Sequence, residues 1–241
     1  MTLKKIFLKT KFTYNIYLYY NLYIRHKCFL NRKQYSQWGE DLFISDFFKN
    51  KNEGIYLDIG CFHPYMYSNT CLLYKKGWKG INIDINQTSI DLFNIARPND
   101  INLNIAIGDK NKVQTFYYKK QRHPMNTLNK EFAENYFYKK KTRIKKSKIM
   151  TRTFNYLVND IKNIDLLDID VEGNEYEVIK KINFKKISFK IILIERTHFN
   201  KKTINNNKKI NQLLLKENYK YVKSFGENKI YKNRKFKKLE K

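Results

Sequence analysis

The chain predicts an α/β fold, a mostly parallel sheet with helices on both faces, and three observations carry that reading. Short apolar runs ("IYLDI", "GINIDIN", "IDLLDID", "FKIILIE") alternate with stretches of helical spacing from about residue 34 onward. Several of these runs end on a carboxylate. Only 8 Gly and 3 Pro occur in 241 residues, so each one marks a boundary. Strand–helix alternation implies right-handed crossovers, and ligands of such sheets bind off the carboxyl ends of the strands.

The elements follow in order. Residues 40–49 ("EDLFISDFF" and Lys49) have apolar residues at helical spacing and two acids in the first turn, which suits a helix N-terminus. A strand is expected over 55–59, then a helix through "SNTCLLYKK", capped by Ser68 or Asn69 and stopped at Gly77. A second strand covers 80–86 and ends at Asp84, and "TSIDLFNIA" forms a helix ended by Pro98. A third strand covers 101–108, before the turn at Gly108-Asp109. Residues 112–152 are less regular. "VQTFYYK" alternates like a strand and "KIMTRTF" has a pairing look, while the lysine-rich stretch between them reads as loop or loose helix, an insertion over one end of the sheet. Regularity returns with a helix at "TFNYLVNDI", strands at 164–170 and 189–195 with the helix "EYEVIKKI" between them, the helix "NNKKINQLLLKEN", and short strands at "YKYVKSF" and "NKIYK". Outside 112–152 that makes seven strands. The domain reading is a basic, aromatic extension (1–33), a main domain (34–232) and a solvated tail (233–241).

Composition excludes some classes. At 42% hydrophobic and 16% aromatic, the chain has enough apolar surface for a packed core. The net charge of +27 invites a polyanion partner, but the lysines are spread over the whole chain, which argues against a dedicated nucleic-acid site. Cys28, Cys61 and Cys71 match no zinc spacing, and an odd number of thiols suits a reduced, cytoplasmic compartment. Residues 1–33 lack the uninterrupted apolar run of a spanning helix. Their tyrosines and lysines suit either a helix packed on the domain or peripheral contact with a membrane.

Five carboxylates, Asp58, Asp84, Asp109, Asp170 and Glu195, fall at or just past predicted strand ends. Helix capping accounts for one or two of these, with Asp109 the first suspect. Five on one edge make an acidic crevice. "DIGCFHP" opens like a nucleotide-binding turn but lacks the glycines that let a backbone approach pyrophosphate. Asp84 follows Asp58 at a spacing suited to ribose hydroxyls. A phosphate-free adenosyl ligand with a cationic end, such as S-adenosylmethionine (SAM), answers both facts.

In this order the blocks "SQWGEDLFISDFF", "YLDIGCFHPYMYSNT", "KKGWKGINIDIN", "RPNDINLNIAIGD" and "LLDIDVEGNEYEVI" resemble the motifs of FkbM-family methyltransferases, over about residues 34–232. The resemblance implies a Rossmann-like, class I SAM-dependent fold and methylation of a hydroxyl group, often on a sugar, a glycolipid precursor or a secondary metabolite, as in polysaccharide biosynthesis. It implies that Asp58 and Gly60 lie beside the methionine moiety, and that the loop with His63, Asn69 and Thr70 closes on the cofactor. Asp84, with Ile85 after it, stands where the family usually has Glu and would reach the ribose. Ile107, Gly108 and Asp109 would flank the adenine, and Gln37 and Glu40 would reach the cofactor from outside the sheet. Asp170 and Glu172 would stand at the reacting centre.

An alcohol needs a base or a metal to take or acidify its proton, and Asp170, Glu172, His63 and His198 are the candidate bases. Asp170 and Glu195 are candidate Mg²⁺ ligands. The expected acceptor is a small molecule or glycan. Two other readings stay open: a methyltransferase of RNA or another polyanion, which requires a basic groove into the crevice, and a SAM-binding scaffold without an organised base.

Overall fold

The computed structural model describes residues 10–120, 122–139, 143–158, 161–196 and 200–236. Its main sheet has seven strands in the order β3-β2-β1-β7-β8-β10-β9. These are β1 (Ile55–Ile59), β2 (Lys79–Ile83), β3 (Ile101–Leu103), β7 (Asn163–Ile169), β8 (Ser188–Glu195), β9 (Tyr219–Phe225) and β10 (Asn228–Asn233). The first five run parallel, and β10 is antiparallel to both β8 and β9.

The central strands are apolar on both faces because helices cover both. Leu57, Ile59, Leu167, Ile169, Ile192 and Ile194 pack in one cluster with Val178 and Ile179 of one helix (Glu175–Ile179) and Ile210 and Leu214 of another (Lys201–Lys216). Tyr56, Leu166, Ile191 and Leu193 pack in a second cluster with Ile44 and Phe48, at the helix Glu40–Phe47, and with Leu73 and Trp78. The alternation along each strand is the pleat itself.

Four sequence expectations change. The third strand breaks after Leu103: Asn104 donates its side-chain amide to the Asp84 carbonyl (2.9 Å). The chain then leaves the main sheet as β4 (Ala106–Ile107). β4 joins β5 (Lys112–Tyr118) and β6 (Lys145–Arg152) in a second sheet ordered β4-β6-β5. Residues 112–152 are therefore an antiparallel pair with a helix between its strands (Lys130–Lys139), whose Phe132, Ala133 and Phe137 are buried. The helix expected from Ser68 or Asn69 covers only Cys71–Lys75, because the side chains that would cap it are used elsewhere. The helix in "TFNYLVNDI" covers Phe154–Leu157.

The N-terminal extension begins, within the described residues, as a helix (Lys11–Tyr19) that continues in a π-helical turn (Tyr20–Arg25). Its Leu18 and Leu22 cluster with Leu92 of the helix Gln87–Ala96. Tyr14 secures the contact by donating to Asp91 at 2.6 Å. No helix among the described residues is long and apolar enough to cross a membrane.

Candidate active site

A cavity of about 340 Å³ opens at the carboxyl ends of β1, β2, β7 and β8, with the 124–128 segment of the insertion over it. Its wall carries Asp58, Asp84, Asp168 and Asp170, and Glu40, Glu172, Glu195 and Glu227. Among the described lining residues there is no Lys, Arg or His, in a chain with 49 Lys and Arg. Positive charge is kept off the wall itself and stands behind it, where Arg97 and Arg122 act on Asp58 and Asp84.

The first-strand turn is built by contact. Gly60 has φ +93°, and a Cβ there would lie 1.7 Å from the Asp170 carbonyl oxygen. One residue earlier, the Asp170 N–H donates to the Ile59 carbonyl at 2.9 Å. The ends of β1 and β7 therefore touch through bare backbone, which brings Asp58 and Asp170 to one place. Strain collects here as well. Of the four non-glycine residues at positive φ among the described residues, three line the cavity: Phe62 (49°), Tyr67 (59°) and Glu172 (54°).

Arg97 organises the loop between residues 62 and 70, and nothing in the sequence pattern announced it. Wholly buried, it donates to the Ser68 and Thr70 hydroxyls (2.9 Å each), the Tyr56 hydroxyl (3.0 Å) and the Pro64 carbonyl. Burial opposes its charge, but Tyr56, Cys71, Asp58 and Asp100 outweigh that and hold the guanidinium protonated. Thr70 passes the support on by donating to Asp58 at 2.8 Å. Asn69 donates to Asp168 at 3.0 Å. These contacts draw Ser68 and Asn69 away from helix capping.

Asp84 is likewise committed. It accepts the Phe62 N–H (2.8 Å), the Asn86 N–H (2.6 Å) and the Asn86 side-chain amide (2.7 Å), and so ties the β1 loop to the β2 loop. Glu40 accepts from the Trp38 N–H (2.8 Å) and the Asn228 amide (2.7 Å).

The fourth-strand turn is different. The buried Glu175 braces it by accepting the Gly173 N–H (2.9 Å) and the Val171 N–H (3.3 Å). From the insertion, Thr127 and Asn129 donate to the Glu172 and Gly173 carbonyls, each at 2.9 Å. The acids find little but one another: Asp170 and Glu195 share a hydrogen bond, while Asp170 Oδ1, Glu172 Oε2 and Glu195 Oε2 are buried and have no hydrogen-bond partner among the described groups. One ligand oxygen from each of the three lies within 4.8 Å of the others. Burial pushes the Asp170 carboxyl up to about 6 and Glu175 up to about 7. Burial and then the neighbouring acids hold Glu172 and Glu195 well above the usual carboxylate range. Asp58 is raised to about 6 by burial, against the Thr70 hydrogen bond. Such a cluster is satisfied by a proton or by a cation.

Gln37, Glu40, Asp58, Gly60, Asn69, Asp84, Ile85, Ile107, Asp170, Glu172 and Glu195 all line the cavity. Thr70 and His63 stand behind its wall. His63 is fully buried, and its Nδ1 accepts the Tyr65 and Met66 N–H groups (3.1 and 3.0 Å) while burial holds the ring neutral. Gly108 and Asp109 lie off the cavity because β4 has turned away. Gly108 donates its N–H to the Arg152 carbonyl, and the exposed Asp109 faces Lys112 at 3.4 Å. His198 lies outside the described residues. Asp168, Asn126 and Glu227 line the site without having been expected there. Asp168 was legible: it stands two residues before Asp170 and so on the same strand face.

The chain matches the FkbM methyltransferase domain over residues 49–221. It belongs to the FkbM methyltransferase family. The matched span contains β1, β2, β7, β8 and the insertion, and with them most of the cavity wall. No curated protein matches the chain.

Proposed function

We propose that this FkbM-family chain is a SAM-dependent O-methyltransferase acting on a hydroxyl of a sugar, glycan or glycolipid precursor. The observation that carries the reading is the charge of the cavity: eight acids and no described basic residue, at the strand edge where an adenosyl ligand would bind. A phosphate-bearing cofactor or an RNA strand would meet repulsion there. The sulfonium and ammonium of SAM suit the unpartnered oxygens of Asp170, Glu172 and Glu195.

In this reading Ile83, Ile85 and Ile107 form the apolar wall for the adenosyl group, and Asp84 lies beside the ribose. When bound, the cofactor supplies an electrophilic methyl group on its sulfonium. The chain positions the acceptor and keeps water out, which is most of what such a displacement needs. Asp170, with its carboxyl near 6, takes the hydroxyl proton, since a base works best with a pKa near the operating pH. Should Mg²⁺ bind, Asp170 and Glu195 would hold it with Glu172 as a third oxygen ligand, and it would acidify the acceptor hydroxyl.

Calorimetry tests the cofactor. SAM should bind more tightly than its neutral thioether product, and Glu172→Gln should erase most of that difference. Failure of both ligands to bind better than millimolar would overturn the reading. Methyl transfer from labelled SAM to RNA, with none to sugar acceptors, would overturn the acceptor class.

A further inference from the structure

The N-terminal helix presents two faces of different chemistry. Its inner face is fixed by Leu18, Leu22 and the Tyr14–Asp91 hydrogen bond to the helix Gln87–Ala96, so its rotation is set. Turned outward are Phe12, Ile16, Tyr19, Tyr20, Tyr23 and Ile24, with Phe12 74% and Ile24 61% exposed. The spacing from 12 to 16, 19, 20 and 23 keeps them on one side of the helix, a continuous apolar and aromatic stripe rather than scattered exposed residues. Lys11, Arg25 and Lys27 are exposed along the same segment. No Asp or Glu occurs before Glu40, whereas eight Lys and Arg do. The end of this segment also meets the active site: Phe29 packs edge-on against Tyr67, which lines the cavity, with ring centroids 6.0 Å apart.

We propose that this face docks on an anionic lipid bilayer. Aromatic and aliphatic side chains on one side of a helix, on a segment with exposed Lys and Arg and without acids, match the interface of a negatively charged membrane in both hydrophobicity and sign. The helix lies in the interface plane, and its far end then holds the cavity rim beside the lipid surface. Nothing in this depends on the cofactor reading.

The test is co-sedimentation of the full chain with vesicles of phosphatidylcholine alone or mixed with phosphatidylglycerol, at low and at roughly 0.5 M salt. A strongly basic protein can adhere to anionic vesicles anywhere on its surface, so the deciding variant changes no charge. Phe12→Ser/Ile16→Ser/Tyr20→Ser should lose at least tenfold in partitioning to the mixed vesicles while keeping the parent's melting temperature. Arg25→Gln and Lys27→Gln should each lose about fivefold at low salt. The proposal is overturned if the parent chain stays in the supernatant, or if the triple variant sediments as the parent does. It is equally overturned if the stripe instead mediates a concentration-dependent dimer, seen by light scattering and abolished in the triple variant, without vesicle binding.

Discussion

Replacing Gly60 by Ala tests whether the cavity depends on backbone contact between β1 and β7. The added Cβ would stand 1.7 Å from the Asp170 carbonyl oxygen, far inside any real contact, so one of the two chains must retreat by more than an ångström. Gly77 supplies the control. Its φ of +97° matches the +93° of Gly60, yet a Cβ there meets nothing within 4 Å. Gly77→Ala therefore costs only the left-handed backbone, about 1–2 kcal/mol, less up to about 1 kcal/mol gained by restricting the unfolded chain. Gly60→Ala bears the same backbone term plus the displaced strand end and its hydrogen bond, about 2–3 kcal/mol more. At about 2–4 °C per kcal/mol for a chain of this size, the melting point should fall by no more than about 8 °C for Gly77→Ala and by roughly 4–12 °C more than that for Gly60→Ala. Calorimetric titration with SAM should show binding weakened at least tenfold in Gly60→Ala and unchanged in Gly77→Ala. Equal melting points for the two variants, or full cofactor affinity in Gly60→Ala, would refute the contact argument.

Three further outcomes are expected. Arg97→Met leaves Ser68, Thr70 and the Pro64 carbonyl without their shared donor and strips the buried Asp58 and Asp100 of their counter-charge, so urea unfolding should show a loss of about 3–5 kcal/mol. A loss below about 1 kcal/mol would deny Arg97 its structural role. In metal-free buffer without cofactor, stability should fall as pH rises from about 6.5 to 8, because Glu175 (about 7), Glu172 and Glu195 keep protons in the folded state that the unfolded chain has already released. Below that window the half-buried His26 and the buried His63, both held neutral, act in the opposite sense, so a melting point that stays level or rises between pH 6.5 and 8 would count against the acid cluster. Finally, Glu195→Gln should raise the melting point of the free protein at pH 8 yet abolish any uptake of Mn²⁺ followed by electron paramagnetic resonance. Mn²⁺ uptake undiminished in this variant would exclude Glu195 as a ligand.

Strand ends were the most legible part of the molecule, because a buried parallel strand leaves an uninterrupted apolar run and its exit residue faces the ligand edge. Asp58, Asp84, Asp170 and Glu195 could be placed from that alone. Asp109 could not: "INLNIAIGD" reads as one strand, whereas its first three residues pair with β2 and Ala106–Ile107 pair with β6, with the Asn104 bond to the Asp84 carbonyl at the break. The loop from 62 to 70 misled for a related reason. Ser68 and Asn69 have the chemistry of helix caps, and local pattern has no means of knowing that Arg97 and Asp168 compete for them. Arg97 itself lies just past a helix, where a solvated basic residue is the ordinary expectation. The insertion was unreadable in detail because its lysines mask the period, although Phe132, Ala133 and Phe137 mark its buried side.

The Arg97 hub also bears on the thermodynamics of ligand entry. One guanidinium already fixes the loop's hydroxyls and a backbone carbonyl, so little conformational entropy remains to be lost when that loop meets a ligand. The heat-capacity change on binding should accordingly match the apolar surface the ligand itself buries, without the larger negative value that accompanies coupled folding. Selectivity in this molecule then rests on a receptor shaped in advance, and evolution can alter what the insertion admits without rebuilding the cradle beneath it.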